Sequence, residues 1–187
     1  MQKTAATKNT TYRQCTKCVL DTNDDPDMTF DEQGVCNYYP QYLETAKNHL
    51  PDPAQREHLL EQKLDKIKKD GAGKEYDVVV GLSGGVDSTY VALLAKQFGL
   101  RVLGVHLDNG WNSELAVKNI ESIVTKLDID LFTYVIDWEE FRDIQIAFLR
   151  SSVIDIEVVT DHAIFATLFQ QAGKHNISHI LSGTNVV

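Results

Sequence analysis

Residues 76–88, YDVVVGLSGGVDS, decide how the rest of this chain is read. Val78, Val79 and Val80 form a continuous β-branched run, the pattern of a strand covered on both faces. From residue 88 to 98 the period changes, and Val91, Leu94, Ala95 and Phe98 share one face of a helix. Between the two lie Ser83, Gly84, Gly85, Val86, Asp87 and Ser88. Adjacent glycines let the backbone turn tightly and bring its N–H groups close to an anion, and the start of a helix adds partial positive charge. The hydroxyls of Ser83 and Ser88 flank the turn and can donate to phosphate oxygens. Asp87 would repel a bare phosphate but suits a Mg²⁺ ion shared with the phosphates. The stretch reads as a nucleotide phosphate site.

Other phosphate loops do not fit. The Walker A pattern needs a Lys before its Ser/Thr, and no Lys stands between Glu75 and Lys96. The pattern G-x-G-x-x-G fails because Gly84 and Gly85 are adjacent. The stretch instead resembles the PP-loop, SGGxDS, of the N-type ATP pyrophosphatases at every fixed position. That resemblance implies cleavage of ATP between its α- and β-phosphates, with a substrate oxygen activated as its adenylate.

A chain of 187 residues, 43% hydrophobic and 24% charged, suits a soluble domain with an appendage. Its formal charge of −9 argues against a nucleic-acid partner, because gripping a phosphate backbone calls for a basic face. No apolar run is long enough to span a membrane, and the first residues lack a signal-peptide core. Three cysteines, an odd number, do not suggest a secreted disulfide scaffold. The cytoplasm is the expected location.

Residues 1–11 are polar and expected to be mobile. Cys15 and Cys18 then form a C-x-x-C pair, and Cys36 follows 18 residues after Cys18 beyond a hairpin-like MTFDEQGVC. This resembles part of a zinc knuckle. A closed tetrahedral site needs a fourth ligand, and the natural position holds Tyr39; Asp21 or Asp27 could complete it. Buried reduced thiols are the other reading. Pro51 and Pro53 break the chain, and residues 54–70 read as a helix with Leu59, Leu60, Leu64 and Ile67. The expected organisation is a cysteine module over residues 1–50, a helical linker over 51–74 and a nucleotide domain over 75–187.

Beyond the PP-loop helix, residues 101–108 read as a second strand ending in Asp108 and Asn109, about 20 residues past the glycine turn. At the carboxyl end of a strand in a parallel sheet such polar groups meet a ligand, and a helix-capping pair is the alternative. A helix over 113–127, a strand over 131–137 and an amphipathic helix from WEEF onward follow. Thr160 or Asp161 is expected to cap a helix over 162–174, with Ile164, Leu168 and Ala172 inward. His162 beside Asp161 sits at that helix start. Residues 177–182 form a fourth strand, ending in Gly183, Thr184 and Asn185 on the same rim as the first glycine turn. Alternating β and α elements specify an α/β doubly wound parallel sheet. Val187 stands just past a strand end that should line the ligand crevice, so the chain is expected to be part of a longer protein.

Several segments together, RQCTKCVLDT, FDEQGVCNYY, the PP-loop, HLDNGWNSELAVKNI, TDHAIF and LSGTN, resemble the N-acetyl sugar amidotransferases of bacterial surface-polysaccharide biosynthesis. In that family a second C-x-x-C usually follows FDExG, and Tyr39 here replaces its last cysteine. The resemblance implies that ATP activates the acetamido oxygen of a nucleotide- or lipid-linked N-acetyl sugar and that ammonia then displaces AMP, leaving an acetamidino group. On that reading Ser83, Gly84, Gly85, Val86, Asp87 and Ser88 hold the phosphates, and Asp87 also contacts Mg²⁺. His106, Asp108 and Asn109 lie near the nucleoside, while Asp161, Gly183, Thr184 and Asn185 close the substrate side, with Ser83, Asp87 and Asp161 nearest the chemistry. Cys15, Cys18 and Cys36 are the candidate Zn²⁺ ligands. Gln2 follows Met1, and no cysteine sits in a nucleophile elbow, so the ammonia is expected from a separate glutaminase partner. The alternatives are another PP-loop activity, either tRNA thiolation or amidation as in NAD or GMP synthesis, and a nucleotide-binding module without catalysis.

Overall fold

Val78, Val79 and Val80 are almost wholly buried and form, with Gly81, the strand β1 (Val78–Gly81). Around it the computed structural model, which describes residues 11–184, places three further parallel strands. These are β2 (Val102–Asp108), β3 (Asp130–Val135) and β4 (Ile180–Leu181), in the order β3-β2-β1-β4. Val80 pairs with Gly104 on one side and with Leu181 on the other, so β1 is an interior strand. That position explains its unbroken β-branched run.

Alternate residues of β1 feed two cores. Val78 and Val80, with Leu82, pack against Ala92 and Ala95 of α3 (Val86–Gln97), Ile123 of α4 (Glu114–Leu127) and Ile67 of α2 (Arg56–Asp70). Val79 packs on the opposite face with Leu103, Val105 and Leu168 and Ala172 of α6 (Val158–Lys174). Helices on both faces make the expected doubly wound sheet. α5 (Trp138–Arg150) buries only Phe141 among its side chains.

Helix α6 runs antiparallel to the strands. Leu168 lies beside Gly81 at the carboxyl end of β1, whereas the His175 ring just past the helix meets Tyr76 edge-on at 5.4 Å, below the strand. The amino-terminal turns of α6 therefore stand at the rim where β1 and β2 end. Below the sheet, Asp77 accepts hydrogen bonds from the backbone and guanidinium of Arg101, which also donates to the carbonyls of Gly71 and Lys74. This clamp closes the turn after α2 onto the base of the sheet.

Two compact units divide at Arg56 and Glu57. α2, expected as a linker, falls in the second unit, where Ile67 and Leu64 join the sheet core. The first unit carries α1 (Tyr38–His49) and two antiparallel bridges, Gln14 to Asp21 and Phe30 to Cys36. Residues 1–10 and 185–187 lie outside the described residues. The expectations for the polar leader up to Thr10, for Asn185 and for the chain end at Val187 fall there.

The expected and observed boundaries differ most at α6. It starts at Val158, so Thr160 and Asp161 lie inside its first turn and neither caps it; the N-cap residue is Glu157, without a side-chain bond. The β-branched run Val158-Val159-Thr160 hides the helix locally, and packing of the stripe Thr160, Ile164 and Leu168 overrides that propensity. β4 is shorter than the expected 177–182.

Candidate functional site

The PP-loop joins β1 to α3, and its shape is held from inside and outside. Gly84 has φ +76°, and a Cβ there would overlap the carbonyl oxygen of Ala116 in the first turn of α4. Asn119, one turn further along α4, donates from Nδ2 to the Gly84 carbonyl at 3.0 Å. Only glycine satisfies both the left-handed backbone and this close approach. Inside the turn, Ser88 is buried and its hydroxyl contacts Ser83 Oγ at 3.1 Å and donates to the Gly85 carbonyl at 3.3 Å. Thr89 Oγ1 donates to the same carbonyl at 2.6 Å. Ser83, Gly85, Val86 and Asp87 face solvent, with Asp87 in the first turn of α3. Ser83 is exposed as a residue, but its hydroxyl is held within the turn, meeting Ser88 Oγ and accepting from Gly85 N at 3.4 Å, while Ser88 braces the loop.

The end of β4 reaches the same turn. A Cβ on Gly183 would come within 2.9–3.1 Å of the Asp87 backbone and Cβ. Beside it Thr184 N donates to Ser182 Oγ at 3.2 Å. The two glycine turns expected to share a rim do touch.

At the end of β2 the structure separates two jobs. His106 is buried, with Nδ1 2.8 Å from the Leu82 carbonyl and Nε2 3.3 Å from Asn112 Nδ2. A carbonyl partner requires the proton on Nδ1 and an amide donor requires a lone pair on Nε2, so the ring is neutral and ties β2 to β1. His106 therefore holds the crevice floor rather than standing open to a ligand. Asp108 Oδ1 accepts from Gly110 N and Asn112 Nδ2, both at 3.0 Å, and Asn109 Oδ1 accepts from Trp111 N at 3.1 Å. These loop bonds combine with Ser113, whose Oγ accepts from Ala116 N at 3.1 Å as the N-cap of α4. Asn112, Asn119 and Thr89 were not singled out from the sequence; Asn112 and Thr89 act through bonds within their own turns and Asn119 through one to a loop 35 residues away, which no spacing rule signals.

Asp161 is exposed on α6, and His162 Nδ1 meets the Val158 carbonyl of its own helix at 2.7 Å, so these two neighbours form no dyad. A cleft of about 460 Å³ adjoins the PP-loop between α3 and α4, lined among others by Gly85, Thr89, Leu93, Asn119, Ser122 and Lys126. It does not include Asp108, Asn109, Asp161 or Gly183. The cleft is the outer flank of the loop and not the rim itself.

In the first unit the Sγ atoms of Cys15, Cys18 and Cys36 lie within 4.8 Å of one another. Cys18 and Cys36 approach to 3.7 Å, and Cys15 Sγ accepts from the backbone N–H of Cys36 at 3.3 Å and of Lys17 at 3.4 Å. Burial pushes the Cys15 thiol up, but those donors prevail and bring it to about 6. The Leu20 backbone N–H pulls Cys18 down, against burial and the proton shared with the other two sulfurs, which together raise it to about 11. Three sulfurs in one cluster, one of them receiving two backbone N–H bonds, are a donor set that fits three corners of a zinc tetrahedron. Tyr39, at the expected fourth position, packs against the cluster as part of α1.

A parallel sheet with a glycine turn of this sequence between β1 and α3 defines a PP-loop ATP pyrophosphatase. A profile of the NAD synthase family matches residues 55–173, and the chain belongs to that family. Among curated proteins it is 37% identical over 73 residues to the tRNA-specific 2-thiouridylase of Ureaplasma parvum, covering 29% of this chain and 19% of that one. To the glutamine-hydrolysing GMP synthase of Pyrobaculum aerophilum it is 34% identical over 117 residues, covering 58% and 21%. The chain thus spans about a fifth of the curated relatives it matches. Among solved structures, glutamine-dependent NAD⁺ synthetase from Acinetobacter baumannii, in complex with ADP, superposes with a TM-score of 0.54 at 20% identity, over 65% of this chain and 23% of that one. This last likeness concerns the fold. Among the described residues, no helix is long and apolar enough to cross a membrane.

Proposed function

We propose that the protein is an ATP-dependent amidating enzyme that forms AMP and pyrophosphate. An acceptor oxygen attacks the α-phosphorus of ATP, and the bond to the α,β-bridging oxygen breaks as pyrophosphate leaves. Ammonia then attacks the activated carbon, the carbon–oxygen bond breaks, and AMP carries that oxygen away. The observation that carries this reading is the PP-loop itself: exposed Ser83, Gly85 and Val86 at the start of α3, held open by Gly84 against α4. Backbone donors and the helix dipole stabilise charge on the departing pyrophosphate. The exposed carboxylate of Asp87 and the adjoining Gly183 turn suit a Mg²⁺ ion, which would supply charge neutralisation on the phosphates. Asp108 and Asn109 line the nucleoside side, and Asp161 with Thr184 the acceptor side.

The NAD synthase match and the GMP synthase relative support amidation of the kind those names describe better than they support an N-acetyl sugar acceptor. One observation favours the sugar as a second reading. The cysteine module, which together with the DNGW segment carries that resemblance, folds as its own unit and lies outside the matched residues 55–173. All three cysteines are drawn into its cluster, leaving none of them free to serve a glutaminase. In this reading the ammonia is supplied by a separate glutaminase partner, as the sugar-amidotransferase resemblance implies. The test is AMP formation by the full-length protein with ammonium and, in turn, nicotinic acid adenine dinucleotide, xanthosine monophosphate and UDP-N-acetylglucosamine. Turnover with either of the first two selects the main reading and turnover with the third selects the second. AMP formation dependent on tRNA would refute both, and steady glutamine-dependent turnover without a partner would remove the glutaminase.

A further inference from the structure

Thr160 is 7% exposed, and its Oγ1 is one of two buried side-chain polar atoms among the described residues that have no hydrogen-bond partner. The other, Gln171 Oε1, belongs to the part of α6 nearer the base of the sheet. An orphaned buried hydroxyl is costly, and most buried polar groups are paired, so an exception calls for a reason. Its place in the fold supplies one. Thr160, Ile164 and Leu168 recur every fourth residue and so share the sheet-facing stripe of α6. Leu168 lies beside Gly81, the last residue of β1. Two helical turns separate Thr160 from Leu168, so Thr160 stands about 12 Å further along the axis, beyond the strand end. It is therefore the polar end of an apolar stripe, on the opposite layer of the rim from α3, whose first turn carries the PP-loop.

We infer that the Thr160 hydroxyl is a binding group for the acceptor substrate, pairing with a neutral amide or hydroxyl of that molecule. This rests on the amidation proposed above. Phosphate is the less suitable partner, although this is a helix start, because Glu157 and Asp161 flank the position and Asp155 bonds the Glu157 backbone. Three carboxylates within seven residues oppose an anion. A hydroxyl that can donate or accept suits a neutral polar group, and burial beside Ile164 raises the penalty for an acceptor that cannot pair with it.

The test compares Thr160→Val, which keeps the shape and removes the hydroxyl, with Thr160→Ser, which keeps the hydroxyl. Both are made in the full-length protein and assayed with whichever of the three named acceptors supports AMP formation. Without ligand, the valine variant should melt at the same temperature or higher, because it removes an unpaired polar group. Its KM for the acceptor should rise roughly tenfold, the scale of one lost hydrogen bond, while KM for ATP stays within about twofold; serine should recover most of the loss. A lower melting temperature for the valine variant would show a structural partner for the hydroxyl and overturn the inference. So would an unchanged acceptor KM, or an effect confined to ATP. Wild-type turnover with an unaffected variant sinks this inference alone, whereas no AMP formation with any of the three acceptors sinks the amidation reading and this inference with it.

Discussion

Gly84 concentrates two demands on one residue. Its φ of +76° and its approach to the Ala116 carbonyl both exclude a side chain. Gly84→Ala is therefore expected to cost about 1–3 kcal/mol of strain and to displace the loop from α4. Pyrophosphate exchange should fall by roughly tenfold or more while the far-ultraviolet circular dichroism is retained. An alanine variant with unchanged exchange would show that loop shape does not matter. Asp77 belongs to the opposite end of the sheet and to stability. Hydrogen bonds from the Arg101 guanidinium hold its carboxyl below the usual range, against burial, which works the other way. A carboxylate with a lowered pKa contributes fully above its unfolded value of about 3.9, and loses that contribution as pH falls through the lower folded value. Arg101 is half in solvent, which limits the pair to about 1 kcal/mol. Urea midpoints of wild type and Asp77→Asn should differ above pH 5 and converge toward pH 2; parallel curves would contradict the assignment.

Helix starts set the PP-loop from both sides. α3 begins at the loop itself, and α4 is capped by Ser113 through Ala116 N, the residue whose carbonyl faces Gly84. Ser113→Ala should cost about 1 kcal/mol as an ordinary lost cap. It should also raise KM for ATP, because loosening the first turn of α4 removes the surface against which Gly84 is held. Asp77, at the opposite end of the sheet, supplies the comparison. Asp77→Asn is the matched control: a similar loss measured by thermal denaturation at neutral pH, with ATP KM unchanged. Equal kinetic effects from both substitutions would mean that global stability, not the α4 contact, governs nucleotide binding.

At the scale of the whole molecule, the two units are expected to respond separately to metal. Cobalt added to the reduced protein should give the thiolate-to-metal absorption of a tetrahedral site, and zinc should displace it. Cys36→Ser should abolish the band while leaving pyrophosphate exchange by the sheet unit intact. A band that survives the substitution would place the metal elsewhere.

Residues 76–88 were enough to specify a buried strand, a tight glycine turn and the helix after it, because these are local features with local causes, whereas the parallel sheet was read from the alternation of strands and helices along the chain. Periodicity likewise marked the inward face of α6, where one stripe of residues meets one core. What packing decided was less local. His106 became a neutral tie between strands, Ser88 a brace within its own turn, and α6 gained a turn that its β-branched start concealed. Asn119 acquires meaning only from a loop 35 residues away that folding brings close, and Thr160 only from the burial of its unpaired hydroxyl. Sequence alone determined which chemistry the first turn can hold, since backbone conformation and charge are written within a few residues. Tertiary structure decided which side chains remain free to perform it, because a hydroxyl or imidazole is spent or spared by contacts between distant segments.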